Sequence, residues 1–202
     1  MRTAVLVVVL ALAGPPAARA DGFDHSPLDR VLKAHVNALG EVDYAALKKD
    51  PAELDRYVQA LGESSPVKTP QLFPARDDQL AYWLNAYNAF VLKAVSAEYP
   101  VKSVRDLGAL FSFFWRRKFL AGGQQITLNH LEDDIIRKQF REPRIHFVLV
   151  CAALSCPFLS RDAFTGPMLQ AQLDDAARRF ANQRRNFTVD AASNQVYLSG
   201  LY

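Results

Sequence analysis

The stretch that decides the fold is QLAYWLNAYNAFVLKAVSAE, residues 79–98. Its apolar residues recur at helical spacing and cover most of the helix circumference, a pattern typical of a helix that is buried nearly all round. We predict that Asp77 or Asp78 caps this helix and that it ends before Tyr99-Pro100. The remaining elements are therefore expected to pack around it.

Helical periodicity also marks the segments 27–39, 51–61 and 169–180. A further helix is predicted to begin at Thr127 or Asn129, because its first turn is acidic and its end is basic, as the helix dipole favours. Helices therefore account for most of the regular structure that the sequence predicts.

Short strands are expected between these helices. Residues 114–120 and 125–128 flank a Gly-Gly turn, and residues 187–190 and 195–199 flank a polar turn, so each pair predicts a hairpin. The nearly continuous apolar run 144–150 predicts a strand buried on both faces. The sequence thus predicts an α+β fold, a helix-rich single domain around a small sheet with hairpins and one buried strand.

The first twenty residues have the three parts of a cleavable signal peptide. A Met-Arg start precedes an apolar run over residues 4–13 and a small-x-small cleavage site over residues 18–20. The apolar run is about half the length that spans a bilayer, and no later stretch is apolar enough either. We expect cleavage before Asp21, one domain over residues 21–202, and a periplasmic or secreted location with no integral membrane segment.

Charge excludes some partners. Removing Arg2 and Arg19 with the signal peptide leaves 22 basic against 21 acidic residues, so the net charge falls from +3 to +1. A nearly neutral protein lacks the electrostatic footprint for nucleic acid or an anionic membrane. The segment 113–119, FFWRRKF, mixes aromatics with three cations, but we interpret it as an ordinary half-exposed edge strand.

The two cysteines, Cys151 and Cys156, leave two hypotheses open. In an oxidising compartment they could form a disulfide in a non-catalytic binding or structural domain of the cell envelope. Alternatively, Cys156 could be a thiolate nucleophile with His146 as its base, in a hydrolase or acyl/amide transferase. The residue that orients the imidazole would then be Asn85, Asn88 or Glu132.

Other polar residues are candidates for binding a small-molecule or peptide ligand. Asn85, Asn88 and Tyr82 share one face of an otherwise apolar helix, and buried amides need partners, which are loop backbone groups or a ligand. Arg144 could hold a carboxylate or form a structural ion pair, for example with Glu132. His130 and Asp134 could present two metal ligands, but no second cluster completes a site, so we expect neither metal nor cofactor.

Two long motifs carry a resemblance to a known family. They are YWLNAYNA at residues 82–89 and PRIHFVLVCAALSCP at residues 143–157, with shorter matches in the same order at residues 40–44, 126–132 and 173–180. The chain resembles the domain of unknown function 547 family of bacterial envelope and plant proteins. Family members commonly carry an acid-His pair near Glu132, whereas this chain has Glu132-Asp133, and they usually run past Tyr202, which implies a truncated chain. The resemblance implies a domain and a location but no reaction.

Overall fold

The computed structural model describes residues 22–101, 112–152 and 156–200. It confirms the predicted α+β fold, a helix-rich domain with two small antiparallel sheets of two strands each. No helix in these residues is long and apolar enough to span a membrane. The helices are α1 (Ser26–His35), α2 (Tyr44–Lys49), α3 (Ala52–Glu63), α4 (Arg76–Glu98), α5 (Ser112–Arg116), α6 (Lys138–Phe140) and α7 (Leu169–Ala181), and the strands are β1 (Phe119–Ala121), β2 (Gln124–Ile126), β3 (Phe187–Asp190) and β4 (Gln195–Leu198).

The central helix is α4, as predicted. It packs against α2, α3 and α7, and sixteen of its residues are buried. It begins three residues earlier than expected because Asp78, inside the first turn, accepts a hydrogen bond from the N–H of Ala75. Its burial explains why the sequence is apolar on nearly every side of the helix.

Both predicted hairpins are present. Strands β1 and β2 pair with Ala121 opposite Gln124, and β3 and β4 pair with Asp190 opposite Gln195. The first hairpin lies on α3, because the N–H groups of Gly122 and Gly123 donate to carbonyls of that helix. Gly122 has a φ of 56°, and a Cβ there would lie 2.2 Å from Oγ of Ser65, so the turn requires glycine.

The predicted buried strand is wrong. Residues Pro143–Phe147 form a short 3₁₀ helix, and Val148 to Val150 follow without pairing in a sheet. The side chain of Glu142 accepts a hydrogen bond from the N–H of Arg144, which favours the turn. The apolar run is buried as expected, but a side chain of α4 satisfies part of its backbone in place of a neighbouring strand.

Two further segments differ from expectation. The predicted strand through Trp115 is the short helix α5, and α2, capped by Asp43, is a helix that the periodicity did not predict. The helix expected after Thr127 is π-helical over His130–Arg137 and continues as α6. Short π-helical stretches occur often at functional sites.

Candidate functional site

The two cysteines are joined. Cys151 and Cys156 form a disulfide with their Cα atoms 5.9 Å apart, and none of the described cysteines is free. The sulfur that a nucleophile would need is therefore bonded to its neighbour. Of the two hypotheses, the structure supports the disulfide and corrects the expectation of a Cys156 thiolate.

Asn88 holds the chain that leads into the disulfide. Its Nδ2 donates to the carbonyl oxygen of Val148 at 3.0 Å, and its Oδ1 accepts from the N–H of Val150 at 3.1 Å. All three residues are buried. The Asn88 amide thus forms the hydrogen bonds that a neighbouring strand would form with this backbone in a sheet.

Asn85, one turn earlier on α4, holds a second loop in the same way. Its Nδ2 donates to the carbonyl oxygen of Phe164 at 2.8 Å, and its Oδ1 accepts from the N–H of Phe164 at 3.0 Å. The same Nδ2 lies 3.0 Å from Nδ1 of His25. Neither Asn85 nor Asn88 forms a hydrogen bond with His146 in the described part of the chain, so both act here as clamps on loop backbone.

Tyr82, the third polar candidate on α4, is also structural. Its hydroxyl donates to the carbonyl oxygens of Ser64 and Leu61, at 2.6 and 3.1 Å. The side chain is fully buried, and burial raises the pKa of its phenol. Tyr82 therefore ties the end of α3 to the central helix.

Glu132 lies beside Tyr87, and His146 is near enough to act electrostatically on its carboxylate; we call these three residues the Glu132 cluster. Burial raises the pKa of the Glu132 carboxyl, whereas a hydrogen bond from Tyr87 and the nearby His146 ring lower it. Burial likewise raises the pKa of Tyr87, and Glu132 adds to the effect. His146 therefore acts on Glu132 only electrostatically, and the sulfur of Cys156 is bonded to Cys151.

Arg144 forms a structural ion-pair network. Its guanidinium lies 2.6 Å from Oε2 of Glu142, contacts Asp174 on α7, and donates to Oε1 of Gln170 at 2.6 Å. These contacts join the 3₁₀ helix to α7. The partners of Arg144 are thus Glu142 and Asp174, and the expected pairing with Glu132 is wrong.

His130 and Asp134 also pair with each other. Nδ1 of His130 lies 2.9 Å from Oδ2 of Asp134 on the exposed face of the π-helical segment, and Lys138 contacts the same carboxylate. Within residues 22–101, 112–152 and 156–200, no group of three or more His, Cys, Asp or Glu side chains is arranged to hold a metal ion.

A pocket of about 280 Å³ lies beside the disulfide, with Cys156 in its wall. Most of the lining is apolar, and Glu41, Tyr44 and Arg185 supply polar groups. The guanidinium of Arg185 lies 5.0 Å above the ring of Phe158, a cation–π contact. The apolar lining comprises Leu39, Val42, Val150, Ala152, Pro157, Phe158 and Leu159.

Two backbone positions shape this pocket. Gly40 has a φ of 74°, and a Cβ there would lie 2.7 Å from Cβ of Phe158, so the two walls meet only because residue 40 is glycine. Ala152, which follows Cys151, has a φ of 52°, a conformation that non-glycine residues seldom adopt. Strained residues of this kind cluster at ligand-binding and active sites.

A family model described as "Protein of unknown function, DUF547" matches residues 71–181, more than half of the chain. The chain belongs to the DUF547 family. The matched residues include α4, the Glu132 cluster and the disulfide, whereas the Gly40–Tyr44 wall of the pocket lies outside them. No curated protein and no solved structure matches the chain.

Sequence reasoning missed a partly buried polar group of this DUF547 domain, His25. Nδ1 of His25 lies 2.8 Å from the hydroxyl of Tyr57 and within reach of Asn85, and burial lowers the pKa of the ring to about 4. Its partners are 32 and 60 residues away along the chain, so no local pattern could reveal them. Arg185 and Gly40 were missed for the same reason, because only the fold brings them to one pocket.

Proposed function

We propose that this DUF547 domain is an exported, non-catalytic binding domain whose pocket beside the Cys151–Cys156 disulfide receives a small, mainly apolar ligand. The observation that carries the proposal is the position of Cys156, which lines a pocket of about 280 Å³ while its sulfur is bonded to Cys151. A sulfur in this state shapes a wall and does not attack a substrate.

Location and redox state support each other in this proposal. The signal-peptide pattern of residues 1–20 directs a protein to compartments where disulfides persist. A disulfide at the pocket wall is therefore compatible with a periplasmic or secreted protein. The same pairing would be unusual in a reducing compartment.

The pocket lining supports an apolar ligand with one polar end. Small-molecule sites are concave and mostly apolar, with a few polar groups that fix orientation. Here Glu41 and Arg185 are the charged members of such a lining, and the Tyr44 phenol stays protonated because burial raises its pKa. A ligand that carries an anionic end could be oriented by Arg185.

A cysteine hydrolase or acyl transferase is not the function that this geometry favours. Such an enzyme needs a free thiol at Cys156, whereas the sulfur of Cys156 is bonded to Cys151. The amides that would orient the imidazole hold loop backbone groups. We therefore propose no covalent step at this pocket.

Anilinonaphthalene sulfonate, with apolar rings and one anionic group, is a suitable probe of the pocket. We expect the probe to bind saturably to the folded, oxidised protein, and its fluorescence measures this binding. The substitution Leu39→Trp should weaken probe binding at least tenfold, because Leu39 lines the pocket. Leu39 is also exposed, so the protein can accommodate the larger side chain without clashes. Val67→Trp, at a position that is 79% exposed, is the matched control and should bind like the wild type.

Two results would contradict the proposal. Equal binding by the Leu39→Trp and wild-type proteins would show that the probe sits elsewhere. Absence of saturable binding by the wild type would show that the pocket does not receive an apolar molecule with an anionic end. Circular dichroism of each variant confirms that the comparison is made between folded proteins.

A further inference from the structure

The segment Trp115–Lys118 has no role in the pocket or the clamps described above. In the sequence it is a run of one indole followed by three cations. The structure places it at the end of α5 and before β1, with Trp115 61% exposed and Arg116 and Lys118 also exposed. We call these four residues the Trp115 patch.

Aromatic anchors hold the patch on both sides. Phe113 is buried and meets Phe114 edge-on at 4.8 Å, and Phe119 stacks on the buried Phe90 of α4 at 4.7 Å. The chain between these anchors is short. The indole and the cations are therefore displayed from a fixed base and do not belong to a loose tail.

The cations are only partly neutralised. Arg117 lies 3.4 Å from Oε1 of Glu98, whereas Arg116 and Lys118 have no ion pair with any described residue. Charge acts locally, because salt screens it beyond about 10 Å, so a cationic patch can attract an anionic surface even on a nearly neutral protein. The small net charge of the whole chain therefore does not argue against an anionic partner here.

We propose that the Trp115 patch docks this domain on the surface of an anionic phospholipid bilayer. A stable protein interface needs about 800 Å² from each partner with an apolar centre, whereas one indole among three cations supplies little such area. The headgroup region of a bilayer has no such requirement. It accepts single indole rings, and its phosphates attract arginine and lysine.

Intrinsic fluorescence gives a direct test, because the chain has only two tryptophans and Trp83 is 5% exposed. Protein recovered in soluble form from the periplasm of an expression host is mixed with phosphatidylcholine vesicles, with and without phosphatidylglycerol. With the anionic lipid we expect a shift of emission to shorter wavelength and quenching by brominated lipid. High salt should reverse both, and Trp115→Phe should abolish both while the Trp83 signal remains.

Charge variants complete the test. The pair Arg116→Gln and Lys118→Gln should weaken vesicle binding about thirtyfold, from the usual contribution of a basic residue at an anionic surface. The control pair Arg161→Gln and Arg178→Gln removes two exposed cations from other parts of the domain and should change binding less than threefold.

Three outcomes would overturn the proposal. They are a Trp115 emission that is the same with and without phosphatidylglycerol, equal losses in the two variant pairs, and binding that persists in Trp115→Phe with both cations removed. A patch that serves an acidic protein would give the first of these results. Neither the probe nor the variants involve the pocket, so this test is independent of the proposed ligand.

Discussion

Replacing Asn88 with alanine tests how the disulfide segment is held. The change removes a donor from the carbonyl of Val148 and an acceptor from the N–H of Val150, and both residues are at most 5% exposed. A buried backbone group left without a partner costs about 1–3 kcal/mol. We therefore expect the free energy of unfolding to fall by about 4 kcal/mol, a large part of the stability of an ordinary domain.

Urea unfolding of the oxidised protein, followed by circular dichroism, measures this loss. Asn182→Ala is the matched control, because Asn182 is exposed at the end of α7, and it should change the free energy by less than about 0.5 kcal/mol. If Asn88→Ala loses no more than the control, water or a rearranged loop satisfies the two backbone groups. The clamp would then not be what fixes the chain before Cys151.

Three further predictions concern other parts of the domain. Burial lowers the pKa of His25 from 6.5 to about 4, so the free energy of unfolding should fall by up to about 3 kcal/mol as the pH drops from 6.5 to 4. Unfolding curves of the His25→Gln variant should lack this pH-dependent loss. The double variant Cys151→Ser and Cys156→Ser should lose about 2 kcal/mol in urea unfolding, because the closed loop is short; an unchanged midpoint would contradict this. Gly40→Ala should lower the melting temperature by several degrees, because the added Cβ would clash with Phe158 and alanine disfavours the positive φ. A melting temperature equal to that of the wild type would show that Phe158 moves to make room.

The sequence predicted the parts of the fold that depend on local periodicity. The apolar pattern of residues 79–98 identified the buried central helix, and the Gly-Gly and polar turns located both hairpins. In these segments the preference of neighbouring residues and the final packing agree. The family resemblance, which rested on two long motifs, is likewise confirmed.

The strand predicted over residues 144–150 shows where local patterns fail. An apolar run of this length suits a buried strand or a buried irregular segment equally well, because both remove the same side chains from water. Only the pairing of the backbone distinguishes them. Here the backbone pairs with the side chain of Asn88, which lies 60 residues earlier in the chain and cannot be predicted from a local pattern.

The candidate site was predictable in its residues but not in their arrangement. Both cysteines, Glu132 and His146 were identified from the sequence, and the disulfide was one of two hypotheses. The pocket depends on Gly40 and Arg185, which the fold brings to Cys156 from distant positions. A spacing rule cannot show which of several polar residues meet across such distances.

The state of the two sulfurs is the central claim, and mass spectrometry tests it most directly. Folded protein recovered from the periplasm is treated with iodoacetamide without reductant and then weighed. A disulfide between Cys151 and Cys156 predicts no alkyl adduct and a mass two hydrogens below that of the reduced chain. One rapidly alkylated thiol at Cys156 would contradict the account and return this pocket to the catalytic hypothesis.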